Sequence, residues 1–179
     1  KKIKIKSKKI DNILVNFDQI LDQDSVKEEL FLITQIDKIF NLEDINLSKE
    51  SFRINKIKST IKKLSNVVSI LSNKYKKVTF FLWPQDIKDD YFGNLNFKKF
   101  GKSWLINFIN LEVASNLSNL DNVYLIDPNN KLLKYKKKID IYDYKTKYLV
   151  DNFYSLDFLE FLSSEICEVT KISEIKKTK

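Results

Sequence analysis

Histidine and methionine are missing from this chain of 179 residues, cysteine occurs once, and glycine and proline occur only twice each. Each shortage closes off chemistry. Without histidine there is no Ser-His-Asp triad, no Cys-His pair and no imidazole ligand for a metal. A single cysteine, Cys167, cannot close an internal disulfide, a zinc knuckle or an iron–sulfur cluster, and it fits a reducing compartment. Two isolated glycines, Gly93 and Gly101, exclude the Rossmann fingerprint and the P-loop, which need several glycines for close approach to phosphate. No apolar run is long enough to span a bilayer. The basic start, Lys1 to Lys9, reaches Asp11 and Asn12 with no signal-peptide apolar region. The chain reads as cytoplasmic, or as a piece of a cytoplasmic protein; its first residue, Lys1, fits a start inside a longer chain.

What is present suits a single packed domain. Hydrophobic residues make up 43% of the chain, and a domain of this length buries roughly 70% of its unfolded surface. The net charge is +8. Lys, Asn and Ile stand where other proteins use Arg, Gly and Val, a bias typical of A- and T-rich coding sequence. The charge therefore has two readings: a surface for an acidic protein or nucleic acid, or lysines supplied by coding bias.

Hydrophobic periodicity alternates between strand and helix. Ile3 to Ser7 alternates as a strand, and a helix follows over Ile13 to Leu21. Leu30 to Thr34 is a continuous apolar run of the kind that makes a buried parallel strand. Ser48 to Lys74 repeats apolar residues at three- and four-residue steps, with Phe52, Ile54, Ile57, Ile61, Leu64, Val67, Val68 and Leu71 as the inner face and Ser48 or Ser51 as N-cap. Val78 to Trp83 is a strand stopped by Pro84, and Pro84 to Gly101 is the one long loop. Ser103 caps a helix to Leu117, with Leu105, Phe108, Leu111 and Val113 in its core. Val123 to Asp127 is a short strand, and Leu156 to Val169 an amphipathic helix with Leu156, Leu159, Phe161, Leu162 and Ile166 inside. The pattern predicts an α/β fold of three layers, a mostly parallel sheet with helices on both faces, formed by one domain over residues 1–170. Residues 171–179 read as a basic tail or linker.

In such sheets, functional groups gather beyond the carboxyl ends of the strands, so the loops after Thr34, Trp83 and Ile126 are the places to inspect. Trp83 and Gln85 are either a core-closing aromatic with its neighbour or the rim of a ligand site. Asp140-Ile141-Tyr142-Asp143 has the look of a phosphatase aspartate motif but lacks two aspartates one residue apart after a buried strand, and is rejected. Cys167 reads as an inert buried thiol, the alternative being a reactive one beside a cation. The Lys134 to Lys138 cluster reads as a solvated loop before a phosphate site.

Three stretches resemble one family. Phe17 to Ser25, with Gln19 and Leu21-Asp22, is similar to an aromatic-x-Gln start leading to Leu-Asp-Pro-x-Ser, with Gln23 in place of the proline. Trp83-Pro84 leads to Phe92-Gly93-Asn94-Leu95-Asn96-Phe97-Lys98 and Gly101, similar to a Leu-Gly-Leu-Leu-Asp-x-Lys segment; Asn110-Leu111 and the strand Val123 to Asp127 follow in order. Tyr142-Asp143, Tyr148-Leu149 and Tyr154-Ser155 resemble Tyr-Asp…Trp-Tyr-Leu-x-Lys-x-Pro-Phe-Ser, with Lys147 for the tryptophan, Asp151 for the lysine and Phe153 for the proline. Together these resemble the N-terminal domain of FkbH-type proteins, from about Ile10 to Val169.

That resemblance implies an SGNH-hydrolase-like or flavodoxin-like fold, without the family's first strand and helix, and a following phosphatase-type HAD domain that carries Mg²⁺ on its aspartates. No cofactor or metal is expected in this chain itself. Relatives transfer a glyceryl unit from a phosphorylated three-carbon acid to an acyl carrier protein or act in surface-polysaccharide pathways. The implied role is an accessory or acyl-handling domain, inactive alone, whose partners are the HAD domain and an acyl carrier protein, with no membrane and no nucleic acid. The alternative is a non-catalytic module for an acidic protein or nucleic acid. An autonomous esterase is disfavoured, since Asp151-Asn152-Phe153-Tyr154 has tyrosine where a DxxH pair has its base, and tyrosine is a poor base at neutral pH. Candidate ligand or interface residues are Trp83, Gln85, Gly93, Asn96, Lys98, Asn110, Asp127, Tyr148 and Asp151; none is assigned a catalytic role.

Overall fold

A computed structural model describes residues 12–16, 27–41, 50–85, 98–135, 139–143, 145 and 154–177. Along the chain run α1 (Ile13–Asn16), β1 (Lys27–Leu32), α2 (Ile36–Phe40), α3 (Glu50–Lys74), β2 (Tyr75–Phe81), α4 (Lys102–Leu117), β3 (Val123–Ile126), α5 (Pro128–Leu132) and α6 (Leu156–Lys177). The strands form a parallel sheet in the order β1-β2-β3, with Leu30 opposite Val78 and Leu32 opposite Phe80. The fold is α/β, consistent with three layers, as the alternating pattern predicts. Two compact units divide the chain: Lys1–Phe80 with Phe108–Tyr124, and Phe81–Asn107 with Leu125–Lys179.

In the first unit α3 is the main element. Ile57, Ile61, Leu64, Val68 and Leu71 recur at helical spacing and are almost wholly buried. Each such side chain contributes about 1.5–3 kcal/mol of burial. Phe52, expected inside, is 58% exposed, because it lies about 140° around the helix from Ile57 at 100° per residue. The helix runs into β2 without a connecting residue, which leaves its last carbonyls in need of donors. Asn122 supplies them: its Nδ2 donates to Ser72 O at 2.7 Å and to Tyr75 O at 3.0 Å. The Asn122 carbonyl in turn accepts from Val78 N at 2.9 Å. The start of the unit is tied in a similar way. Asn12 Oδ1 caps α1 by accepting from Leu14 N, and Asn12 Nδ2 donates to Lys38 O at 2.7 Å. Asn41 ends α2 at φ 44°, a left-handed value that asparagine tolerates.

Some sequence expectations shift. β1 begins at Lys27 and stops at Leu32, and β2 begins at Tyr75, so both strands start three residues early. Gly101 precedes α4 and Ser103 lies inside it; Ser51 likewise lies inside α3, and Ser48 falls outside the described residues. Leu111 and Leu156 are 72% and 76% exposed. α6 continues through Lys177, so residues 171–177 are helical. The strand expected at Ile3 to Ser7 falls outside the described residues.

The second unit has a core of Phe81, Trp83, Leu105, Ile106, Ile126, Ile141, Tyr154, Phe158, Phe161 and Leu162. Five rings run through it in sequence of contact. Tyr142 stacks on Tyr154 at 5.8 Å, Tyr154 meets Phe158 at 5.0 Å, Phe158 meets Phe161 at 5.7 Å, and Tyr135 stands edge-on to Phe161 at 5.1 Å. Each pair adds about 0.5–1.5 kcal/mol beyond its buried area.

Candidate functional site

The second unit contains the carboxyl ends of β2 and β3, where the fold class places function. Past Phe81 the chain leaves the sheet, so each backbone polar group needs a new partner. Leu82 N donates to Ile126 O at 2.9 Å. The Tyr142 hydroxyl donates to Pro84 O at 3.2 Å. Gln85 N donates to Asn129 Oδ1 at 2.8 Å, and Gln85 Nε2 donates to Asn107 Oδ1. The four residues after β2 are thus pinned from three directions.

Asp127 and its neighbours form the matching end of β3. Asp127 is the N-cap of α5 and Pro128 its first residue, a pairing favoured because proline has no N–H to leave orphaned. Asp127 Oδ1 accepts from Asn129 N at 2.9 Å and Asn129 Nδ2 at 3.1 Å, and Oδ2 accepts from Asn130 Nδ2 at 2.7 Å. Asp127, Asn129, Gln85 and Asn107 therefore make one chain of hydrogen bonds at the strand ends.

Beside it, Tyr142 and Tyr154 face each other in a single antiparallel bridge. Ser155, the next residue, is the cap of α6. Its Oγ accepts from Phe158 N at 3.1 Å and donates to Asp140 O, while its backbone N donates to Ile141 O at 3.0 Å. An open cleft of about 450 Å³ lies here, lined by Asp140, Tyr142, Asp143, Lys145, Ser155, Leu156 and Asp157. Its polar groups are three carboxylates, two hydroxyls and one ammonium. A carboxylate accepts only, so such a wall suits a ligand that donates, such as a hydroxyl. Within the Asp140–Asp143 stretch the regular structure is a single bridge, from Tyr142 to Tyr154. Among the described residues no group of three or more His, Cys, Asp or Glu side chains is placed to hold a metal ion.

The sequence candidates separate on this frame. Gln85 and Asp127 are brought together through Asn129. Trp83 is fully buried and belongs to the core. Lys98 is exposed in a turn where its carbonyl accepts from Gly101 N at 2.7 Å. Asn110 is half-buried on the part of α4 that belongs to the first unit. Gly93, Asn96, Tyr148 and Asp151 lie outside the described residues. Cys167 is half-buried on α6. Asn107 carried no sequence signal of its own, and Asp140 only that of the rejected aspartate motif; Asn129 could have been found from the Asp-Pro-Asn-Asn turn, which calls for an N-cap network. No protein-family model matches the sequence, and no curated protein and no solved structure matches it either.

Proposed function

We propose that the chain is a non-catalytic holding domain, of the kind the FkbH-type resemblance implies, which binds a hydroxyl-bearing acyl unit on a carrier protein and presents it to a phosphatase-type catalytic domain. Mg²⁺ would belong to that catalytic domain. The observation that carries the reading is the commitment of both hydroxyls at the cleft: Ser155 Oγ donates and accepts within the fold as a helix cap, and the Tyr142 hydroxyl donates to Pro84 O. No histidine exists to activate either hydroxyl. The cleft wall of Asp140, Asp143 and Asp157 disfavours a free carboxylate or phosphate. It favours a group whose acid is masked as a thioester and whose remaining polar atoms are hydroxyls.

The test uses glyceryl-pantetheine and acetyl-pantetheine thioesters titrated into the purified chain, with binding followed by calorimetry. The glyceryl compound should bind at least about fivefold more tightly, a difference of one or two hydrogen bonds to a charged acceptor. Asp143→Asn with Asp157→Asn should erase that preference, and neither compound should be hydrolysed. Turnover of either thioester, or equal affinity for both, would overturn the reading.

A further inference from the structure

Charge on α3 is segregated in a way that coding bias does not explain. Between Ser51 and Lys74 stand Arg53, Lys56, Lys58, Lys62, Lys63 and Lys74, and no Asp or Glu. With 24 acidic residues in 179, a stretch of this length would hold about three. The same coding bias acts on α6, which nevertheless carries Asp157, Glu160, Glu165, Glu168 and Glu174. Past its first residue, Glu50, the absence of acid is therefore a property of this helix.

Its outward face has a definite layout. Asn55, Ser59, Asn66 and Asn73 are exposed at four- and seven-residue steps, which places short polar side chains along one narrow seam with the Lys62 cation on the same line. Lys58 and Lys63 are exposed on its two flanks. Phe52 and Ile70, 58% and 43% exposed, stand near its two ends, about 27 Å apart at 1.5 Å per residue. A shallow seam with cations on both sides and an apolar anchor at each end matches another helix lying alongside, with carboxylates flanking its contact line. Nucleic acid would use the lysines and could stack a base on Phe52, but has no aliphatic group to set against Ile70 at the other end.

We propose that the outer face of α3 docks an acidic amphipathic helix of a partner protein. The inference is independent of the cleft, which lies in the other unit.

The probe is a fluorescent helical peptide of about 25 residues with glutamates along one face and leucines about 18 positions apart, read by anisotropy at ~50 and ~150 mM salt. A 20-nucleotide DNA, single-stranded and duplex, is run beside it. The peptide should bind in a salt-dependent way. The triple change Lys58→Gln, Lys62→Gln, Lys63→Gln should weaken it at least tenfold, and Phe52→Ala with Ile70→Ala about fivefold. All of these side chains are exposed, and thermal melts verify that each variant is folded. Failure of the peptide to bind, indifference to both sets of substitutions, or tighter binding of DNA than of peptide would overturn the proposal.

Discussion

At the scale of single residues, the physical role of a side chain is set by what its polar atoms already hold. Ser155 caps α6 and ties back to Asp140 O, so Ser155→Ala should cost about 1–2 kcal/mol. This would be read as a lower urea midpoint at unchanged slope, with Ser155→Thr recovering most of the loss. Thr79 makes the opposite case. It is fully buried in β2, and its Oγ1 has no hydrogen-bond partner among the described residues. A buried hydroxyl without a partner carries a desolvation cost. Thr79→Val should therefore stabilise by about 1 kcal/mol, seen as a rise of about 2–4 °C in the melting midpoint. The sequence marks Tyr154-Ser155 and Tyr142-Asp143 as related stretches, and the structure joins Tyr142 to Tyr154. It gives no sign that Asn107 would take part, because an asparagine is as common on a solvated surface as in a network. Which it joins depends on a chain segment more than 20 positions away, as Gln85 is from Asn107.

At the scale of elements, legibility follows periodicity. The α3 helix is plain in the sequence because six apolar residues, from Ile57 to Leu71, repeat over about four turns. Phe52 is misplaced by the same rule, since an apolar residue at a helix start fits the pattern loosely and the backbone decides the face. Two substitutions separate these cases. Leu64→Ala should cost about 2–5 kcal/mol, whereas Phe52→Ala should stay within about 0.5 kcal/mol of the parent in the same denaturant titration. The strand starts were harder to read because Lys27, Glu28 and Glu29 open β1, and Tyr75, Lys76 and Lys77 open β2. Paired backbone holds them there despite their polarity. Lys77 Nζ lies 4.0 Å from Glu29 Oε2 across the ladder and 4.9 Å from the centre of the Tyr124 ring. The junction of α3 with β2 rests on Asn122, and Asn122→Ala should cost about 1–3 kcal/mol through two carbonyls left without their donor. Asn122→Asp should not recover it, because a carboxylate has no hydrogen to give.

At the scale of the whole molecule, the titration behaviour follows from which groups fold into altered surroundings. With no histidine, no imidazole titrates between pH 6 and 8, so the alkaline side holds the informative range. Lys131 is raised above the ordinary lysine value of 10.5, first by its hydrogen bond to Glu165. The ion pair measures 2.9 Å, with the Glu165 side chain nearly buried. Tyr75 is raised above 10.0 by burial, against a smaller opposing pull from Lys74. In both cases the folded chain holds its proton more tightly than the unfolded chain, so unfolding releases protons and stability falls as pH rises. The contribution is complete below the ordinary values and is lost as pH climbs through the raised ones. Melting midpoints measured from pH 8 to 11.5 should therefore stay level to about pH 10 and then decline. Lys131→Gln and Tyr75→Phe should each flatten that decline, and the double variant should flatten it further, because each group carries its own shift from its own cause. An equal decline in parent and double variant would mean that the loss comes from general deprotonation of the surface lysines, in which case the loss of their charge sets the alkaline limit rather than these two sites.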